Sequence, residues 1–183
     1  MRASSAYIPG IIVLEPRVFT DDRGFFFESY NKKTLAALGI DVSFVQDNHS
    51  LSRCGTLRGI HYQIKNPQAK LIRVVSGEIF DVSVDLRRSS PTFGRWFGLN
   101  LSASNKLQIY IPPGFGHGFL ALSQIAEVLY KASDFYAPEH ERCIRWDDPD
   151  LAIDWPLNGE RIISEKDAKG SFFREADLPA RDT

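Results

Sequence analysis

From Ile11 to Ala132 the chain is a series of short β-prone runs, each closed within a few residues by Gly, Pro, Asp or Asn. Short strands at regular spacing, with little helical periodicity between them, build antiparallel sandwiches or barrels. Strands are expected at Ile11–Leu14, stopped by Glu15-Pro16, and in the aromatic run Phe25–Tyr30 that follows a turn at Asp21-Asp22-Arg23-Gly24. Further strands are expected at Val42–Asn48, from Thr56 onward, and at Lys70–Val75, Glu78–Leu86, Arg95–Leu101, Leu107–Ile111 and Ala126–Ala132. Asn31 can cap a short helix through Leu38, which Gly39 would stop. The expected class is all-β with a few short peripheral helices.

Ser76-Gly77 reads as a two-residue turn joining Lys70–Val75 to Glu78–Leu86 in a hairpin. That pairing puts Lys70, Ile72, Val74, Ile79, Asp81 and Ser83 on one face, with Lys70 and Asp81 as diagonal neighbours. The other face of the second strand, Phe80, Val82, Val84 and Leu86, is wholly apolar and needs a cover, from the core or from a partner subunit.

The stretch Thr56–Lys70, TLRGIHYQIKNPQAK, carries an Arg, a His, a Gln and a Lys within what otherwise reads as the start of a β-sheet. Strict alternation places Leu57, Gly59, His61 and Gln63 together on one face, and a His beside a Gln suggests a lined pocket. A half-buried strand whose His finds one hydrogen-bond partner reads equally well at this point.

With 183 residues, 43% hydrophobic and 12% aromatic, the chain suits one domain over 1–183 with a sizeable core. The part beyond about residue 170 is expected to be peripheral, and the last dozen residues poorly structured. A net charge of −1 gives no case for nucleic acid or an acidic membrane surface. Two cysteines, Cys54 and Cys143, make no disulfide framework and fit a reduced, cytoplasmic setting. Pro9, Glu15, Pro16 and Arg17 interrupt the only apolar run near the N-terminus, so no signal peptide is expected, and no stretch approaches the length of a membrane helix.

Gly55 with His61 and Gln63, followed by Pro112-x-Gly114 with His117, resembles the paired motifs of the cupin jelly roll. Metal-binding cupins have a second His where this chain has Gln63, so the resemblance implies a depleted ligand set, no metal and no cofactor. The likeness sharpens with six segments in order: FTDDRGFFFESYN (Phe19–Asn31), FVQDNHS (Phe44–Ser50), LRGIHYQ (Leu57–Gln63), GEIFDVSVDLR (Gly77–Arg87), PPGFGHGF (Pro112–Phe119) and ISEKD (Ile163–Asp167). Together they resemble the dTDP-4-dehydrorhamnose 3,5-epimerases, over roughly Ile8 to Asp167.

That resemblance implies a dTDP-linked 4-keto-6-deoxyhexose as substrate, inverted at C3 and C5, the carbons flanking the C4 ketone. Such chemistry needs a base, an acid on the opposite face, and a cation at the C4 oxygen. An imidazole titrates near neutrality, so His61 suits the base, and Asp167 matches its orienting carboxylate. Ser164-Glu165-Lys166-Asp167 reads as a helix capping box as well. Tyr130 matches the acid, although a strand Tyr packs in a core just as readily. Lys70 is the candidate for the enolate oxygen, with Asp81 holding its ammonium charged. Arg23, Arg58, His117 and Lys166 match positions that bind the nucleotide sugar, where Arg can grip a pyrophosphate with two parallel bonds. Gln46 and Asn48 match polar contacts near Glu28, and Glu141 a further binding position. Strict alternation would turn Arg58 away from His61, unless a bulge intervenes. Phe19 and Phe26 could stack on a base, but with thirteen Phe in the chain core packing is the expected role.

Three other readings compete. Single-carbon epimerases share these catalytic positions; a non-catalytic sugar-binding cupin would lack His61 or its carboxylate; a metal-dependent cupin would need His at position 63. Exposed sheet edges, the apolar strand face and the resemblance all imply a homodimer.

Overall fold

The computed structural model describes residues 1–156 and 159–179. Its N-terminal part holds β1 (Arg2–Ser5), β2 (Ile12–Glu15), a small arm of β3 (Phe19–Asp21) and β4 (Gly24–Phe26), and helix α1 (Lys32–Ala37). The central strands are β5 (Gln46–Arg53), β6 (Thr56–Gln63), β7 (Lys70–Ser76), β8 (Glu78–Asp85), β9 (Trp96–Ser102), β10 (Gln108–Ile111), β11 (Phe115–Ala121) and β12 (Ile125–Ala132). Two short strands, β13 (Glu141–Cys143) and β14 (Ile162–Ile163), precede helix α2 (Glu165–Ala168). One sheet runs β1-β2-β10-β7-β12-β5 and the other β13-β6-β11-β8-β9, with β14 parallel beside β6. The two sheets face each other as a cupin jelly roll. Among the described residues no helix is long and apolar enough to cross a membrane.

Asn31 caps α1 as its sequence suggests, its Oδ1 accepting from the Lys33 and Thr34 N–H groups at 3.0 and 3.2 Å. The strand expected at Val42–Asn48 starts only at Gln46 and continues to Arg53. Val42 and Phe44 instead pack with Leu35 and Ile40 over the outer face of the first sheet, so their alternation serves loop packing rather than a ladder.

The expected hairpin at Ser76-Gly77 does not form. β7 and β8 belong to opposite sheets, and Gly77 is where the chain crosses between them. Gly77 has φ +72°, and a Cβ there would come within 2.1 Å of the Ile125 carbonyl oxygen. The physical reason lies in β8, which is buried along both faces and therefore sits in the middle of a covered sheet, between β11 and β9. Its inner side, with Ile79, joins Ile72, Val74, Ile109, Phe119 and Val128 in the core between the sheets. Its outer side, Val82, Val84 and Leu86, is covered by the chain's own C-terminal segment, through Ile144, Leu151, Trp155, Ala176 and Leu178. Burying each such large side chain stabilises the fold by roughly 1.5–3 kcal/mol. Residues 172–179, expected to carry little structure, thus hold part of this roof, and the Tyr62 hydroxyl donates to the Asp177 carbonyl at 2.9 Å.

Candidate active site

β6 is the strand on which the site turns. Opposite β11, its pairing runs Leu57 with Leu120, Arg58 with Phe119, then His61 with His117, so two residues, Gly59 and Ile60, face the single Gly118. This is a β-bulge, and it changes which residues share a face. Leu57, Ile60 and Tyr62 point outward into the C-terminal roof. Arg58 and His61 point the same way, into the space between the sheets, since directly paired residues share a face. The expectation that Leu57 sits beside His61 is corrected, and the facing conflict for Arg58 disappears. Gly59 makes the bulge possible: its φ is +105°, and a Cβ there would lie 2.5 Å from the His117 carbonyl oxygen.

The bulge also frees the Gly59 N–H from the ladder, and it donates to Asp167 Oδ2 at 3.2 Å. Asp167 Oδ1 lies 2.7 Å from His61 Nε2. β14 pairs with Thr56 and Leu57 and delivers α2 to this spot. The Asp167 N–H donates to Ser164 Oγ at 3.1 Å, so the Ser-x-x-Asp cap and the His–Asp pair coexist. Burial pushes the Asp167 carboxyl up, but the His61 hydrogen bond and charge, the Gly59 N–H and Ser164 together hold it below the usual carboxylate range. Asp167 is therefore a buried anion whose partner is His61. With Nε2 as the donor to Asp167, Nδ1 is the nitrogen left with a lone pair.

The facing sheet supplies Tyr130 from β12 and Lys70 from the start of β7, and both line one pocket with His61, Gln63, Tyr136 and Glu141. Burial pushes the Tyr130 phenol up; Glu141 adds to the shift and Arg58 opposes it. Burial lowers the Lys70 amine to about 8, against the pull of the Asp81 and Glu141 carboxylates. Asp81 reaches Lys70 across the sandwich, not along a hairpin. Its direct partner is His117, with Nε2 2.8 Å from Asp81 Oδ2, while Asp81 Oδ1 is buried without a hydrogen bond. Burial lowers the His117 imidazole, with Asp81 opposing and the charges of Lys70 and His61 reinforcing. His117 is buried, 8% exposed, and is not among the residues that line the pocket with Lys70.

At the rim, Glu141 Oε2 accepts from the Tyr136 hydroxyl at 2.6 Å and pairs with Lys166. Gln46 donates to Asn48 Oδ1 at 3.0 Å and accepts from the Tyr136 N–H, and Asn48 lies opposite Tyr130 in the ladder. The Asn48 amide nitrogen is buried without a partner. Arg58 donates to Ser52 Oγ and to the Leu51 carbonyl. Gln63, the position of the missing His, is held by the Asn66 carbonyl and the Ala137 N–H.

Arg23 and Glu28 are not brought to this pocket. Arg23 is exposed on the β3–β4 turn, 2.6 Å from Asp21, and Glu28 accepts from the Asn31 side chain at the start of α1. Phe19 and Phe26, expected in the core, are 51% and 71% exposed on that arm. Sequence reasoning missed Tyr136. The one available signal was an adjacent pair of aromatics, Phe135-Tyr136, just past the last long strand, and both are exposed.

The sequence profile of the dTDP-4-dehydrorhamnose 3,5-epimerase family matches residues 5–175. The chain is 61% identical to the dTDP-4-dehydrorhamnose 3,5-epimerase of Pseudomonas aeruginosa over 97% of this chain and 98% of that one. Its fold is similar to a crystal structure of the 3,5-epimerase from Legionella pneumophila in complex with dTDP-4-keto-L-rhamnose, with TM-score 0.96, 47% identity and coverage of 100% and 98%. It is also similar to a 3'-monoepimerase from Streptomyces bikiniensis in complex with dTDP-quinovose, with TM-score 0.89, 37% identity and coverage of 95% and 91%. With family match, identity and fold in agreement over nearly its whole length, the chain belongs to the dTDP-4-dehydrorhamnose 3,5-epimerase family and is an epimerase.

Proposed function

We propose that this chain converts dTDP-4-dehydro-6-deoxy-D-glucose to dTDP-4-dehydro-L-rhamnose by inverting C3 and C5 through enolates. The observation that carries this reading is the placement of the His61–Asp167 pair in one pocket with Tyr130 and Lys70 from the opposite sheet. His61 takes the proton from the carbon next to the C4 ketone, and the C–H electrons move onto the C4 oxygen. Asp167 holds the imidazole and stabilises the imidazolium that forms. The Lys70 ammonium, in a partly dry site, balances the enolate charge. Tyr130 then gives its phenolic proton to the other face of the same carbon. The imidazolium and phenolate are reset through solvent before the second carbon is inverted.

Arg58, Gln46, Asn48, Glu141, Lys166 and His117 would hold the nucleotide sugar, and Asp81 would keep the Lys70 ammonium charged. On the family resemblance alone, Arg23 and Glu28, which lie away from this pocket in one copy, take a nucleotide-binding role as well. A homodimer accounts for the exposed aromatics Phe19, Phe25 and Phe26 on the β3–β4 arm, which one copy leaves uncovered.

The likeness to a 3'-monoepimerase keeps inversion at a single carbon as the second reading. Incubation with the 4-keto substrate in deuterated water, followed by NMR, separates the two. Loss of both the C3 and C5 proton signals, abolished by His61→Ala, supports the double epimerase. Loss of one signal supports the single-carbon reading, and exchange at neither carbon overturns both.

A further inference from the structure

His61 and Asp167 have a third neighbour that the proposed reaction does not use. Cys143 lies directly opposite His61 in the β13–β6 ladder, so the two side chains share a face. One ligand atom each from His61, Cys143 and Asp167 falls within 4.8 Å of the others. Cys143 is half-buried, and His61 lines a pocket open to solvent, which gives an ion a way in.

We infer that His61, Cys143 and Asp167 form an inhibitory site for a thiophilic divalent cation such as Zn²⁺ or Cd²⁺. Around one zinc, with bonds of about 2.0–2.3 Å, tetrahedral ligand atoms sit roughly 3.5 Å apart, so the present cluster needs only small side-chain shifts. Imidazole, thiolate and carboxylate are a donor set that suits zinc and cadmium and not magnesium. Binding displaces the thiol proton to solvent and puts the cation where the imidazole and carboxylate now share a proton. A solvent molecule completes the tetrahedron. Three unlike donors converging on one point distinguish this place from a lone cysteine. It shares only His61 with the cupin metal position, where Gln63 replaces a second His, and takes Cys143 and Asp167 as its other ligands.

Binding stands on the three donors alone; inhibition rests on His61 being the base of the proposed reaction. The experiment uses a Cys54→Ala background, so that Cys143 is the sole thiol, and titrates Cd²⁺ while following the ultraviolet thiolate-to-cadmium band. The expected result is one ion per chain, loss of the band with Cys143→Ala added, and affinity weakened at least about 10-fold. Epimerase assays of the same proteins should show inhibition that tracks the band, reverses with chelator, and is lost with Cys143→Ala. Absence of the band, or a band that survives Cys143→Ala, overturns the site. A stoichiometric band with unimpaired proton exchange at C3 and C5 leaves the site standing and overturns His61 as the base.

Discussion

The Asp167 carboxylate bridges the His61 ring and the Gly59 backbone N–H, one oxygen to each, at 2.7 and 3.2 Å. Both contacts depend on the same bulge. The extra residue in β6 turns His61 toward the pocket and leaves the Gly59 N–H without a ladder partner, so a single carboxylate satisfies both.

Asp167→Asn keeps the shape and removes the charge. The expected result is a fall in kcat of about 10²-fold or more, because the imidazolium loses its counter-charge and the amide favours the wrong ring tautomer. Steady-state rates alongside circular dichroism would check this. A folded variant with near wild-type kcat would show that the pair is only structural.

Tyr130→Phe separates the acid from the base. His61 should still abstract and return protons on one face, so solvent deuterium continues to enter at C3 or C5 while inverted product falls by about 10²- to 10⁴-fold. NMR reads both quantities in one sample. Parallel loss of exchange and product would mean that Tyr130 does not act after enolate formation.

The Lys70 amine, lowered to about 8 by burial, sets the alkaline side of the pH profile. The charged form is the one the enolate needs, so activity should fall as pH rises through about 8, and Lys70→Met should lose most activity together with that limb. Stability runs the other way. Between about 8 in the folded protein and the ordinary lysine value of 10.5, the unfolded chain binds more protons at this group, so stability from Lys70 rises with pH across that window. Urea unfolding of wild type against Lys70→Met should show wild type gaining on the variant from pH 8 to 10. A gap constant with pH would refute the buried amine.

Gly59→Ala should cost roughly 2–4 kcal/mol, since the new Cβ meets the His117 carbonyl and the left-handed φ is strained for alanine. Urea midpoints measure it, and activity should fall with the lost His61 geometry. A variant as stable as wild type would mean that the bulge relaxes easily.

The sequence reveals those features set by neighbouring residues. The Asn31 cap, the turn glycines and most strand limits depend on local chemistry, and the structure repeats them. Strand partnership does not. Ser76-Gly77 looks the same to its neighbours whether β7 and β8 pair or part company, and the sequence carries no sign of which occurs. The bulge at Gly59-Ile60 was detectable only as a conflict over where Arg58 points. Asp81 and Lys70 influence each other across the sandwich and not along a hairpin, since β7 and β8 lie in opposite sheets. The place of Cys143 beside His61 is not legible in sequence, because the two meet only through pairing of strands far apart in the chain. The abundance of Phe points Phe19 and Phe26 to a core that their three-residue strands never reach.

The roof over the outer face of β8 sets an order of events during synthesis. Residues 144–178 leave the ribosome after every strand of the two sheets except β14, so the apolar side of β8 and the outward residues of β6 meet water until then. A nascent chain halted before this segment carries its sheets with a bare greasy flank and a His61 without its carboxylate. Such a chain is prone to stick to its neighbours, and if His61 is the base as proposed, the segment that covers the greasy flank also completes the catalytic pair.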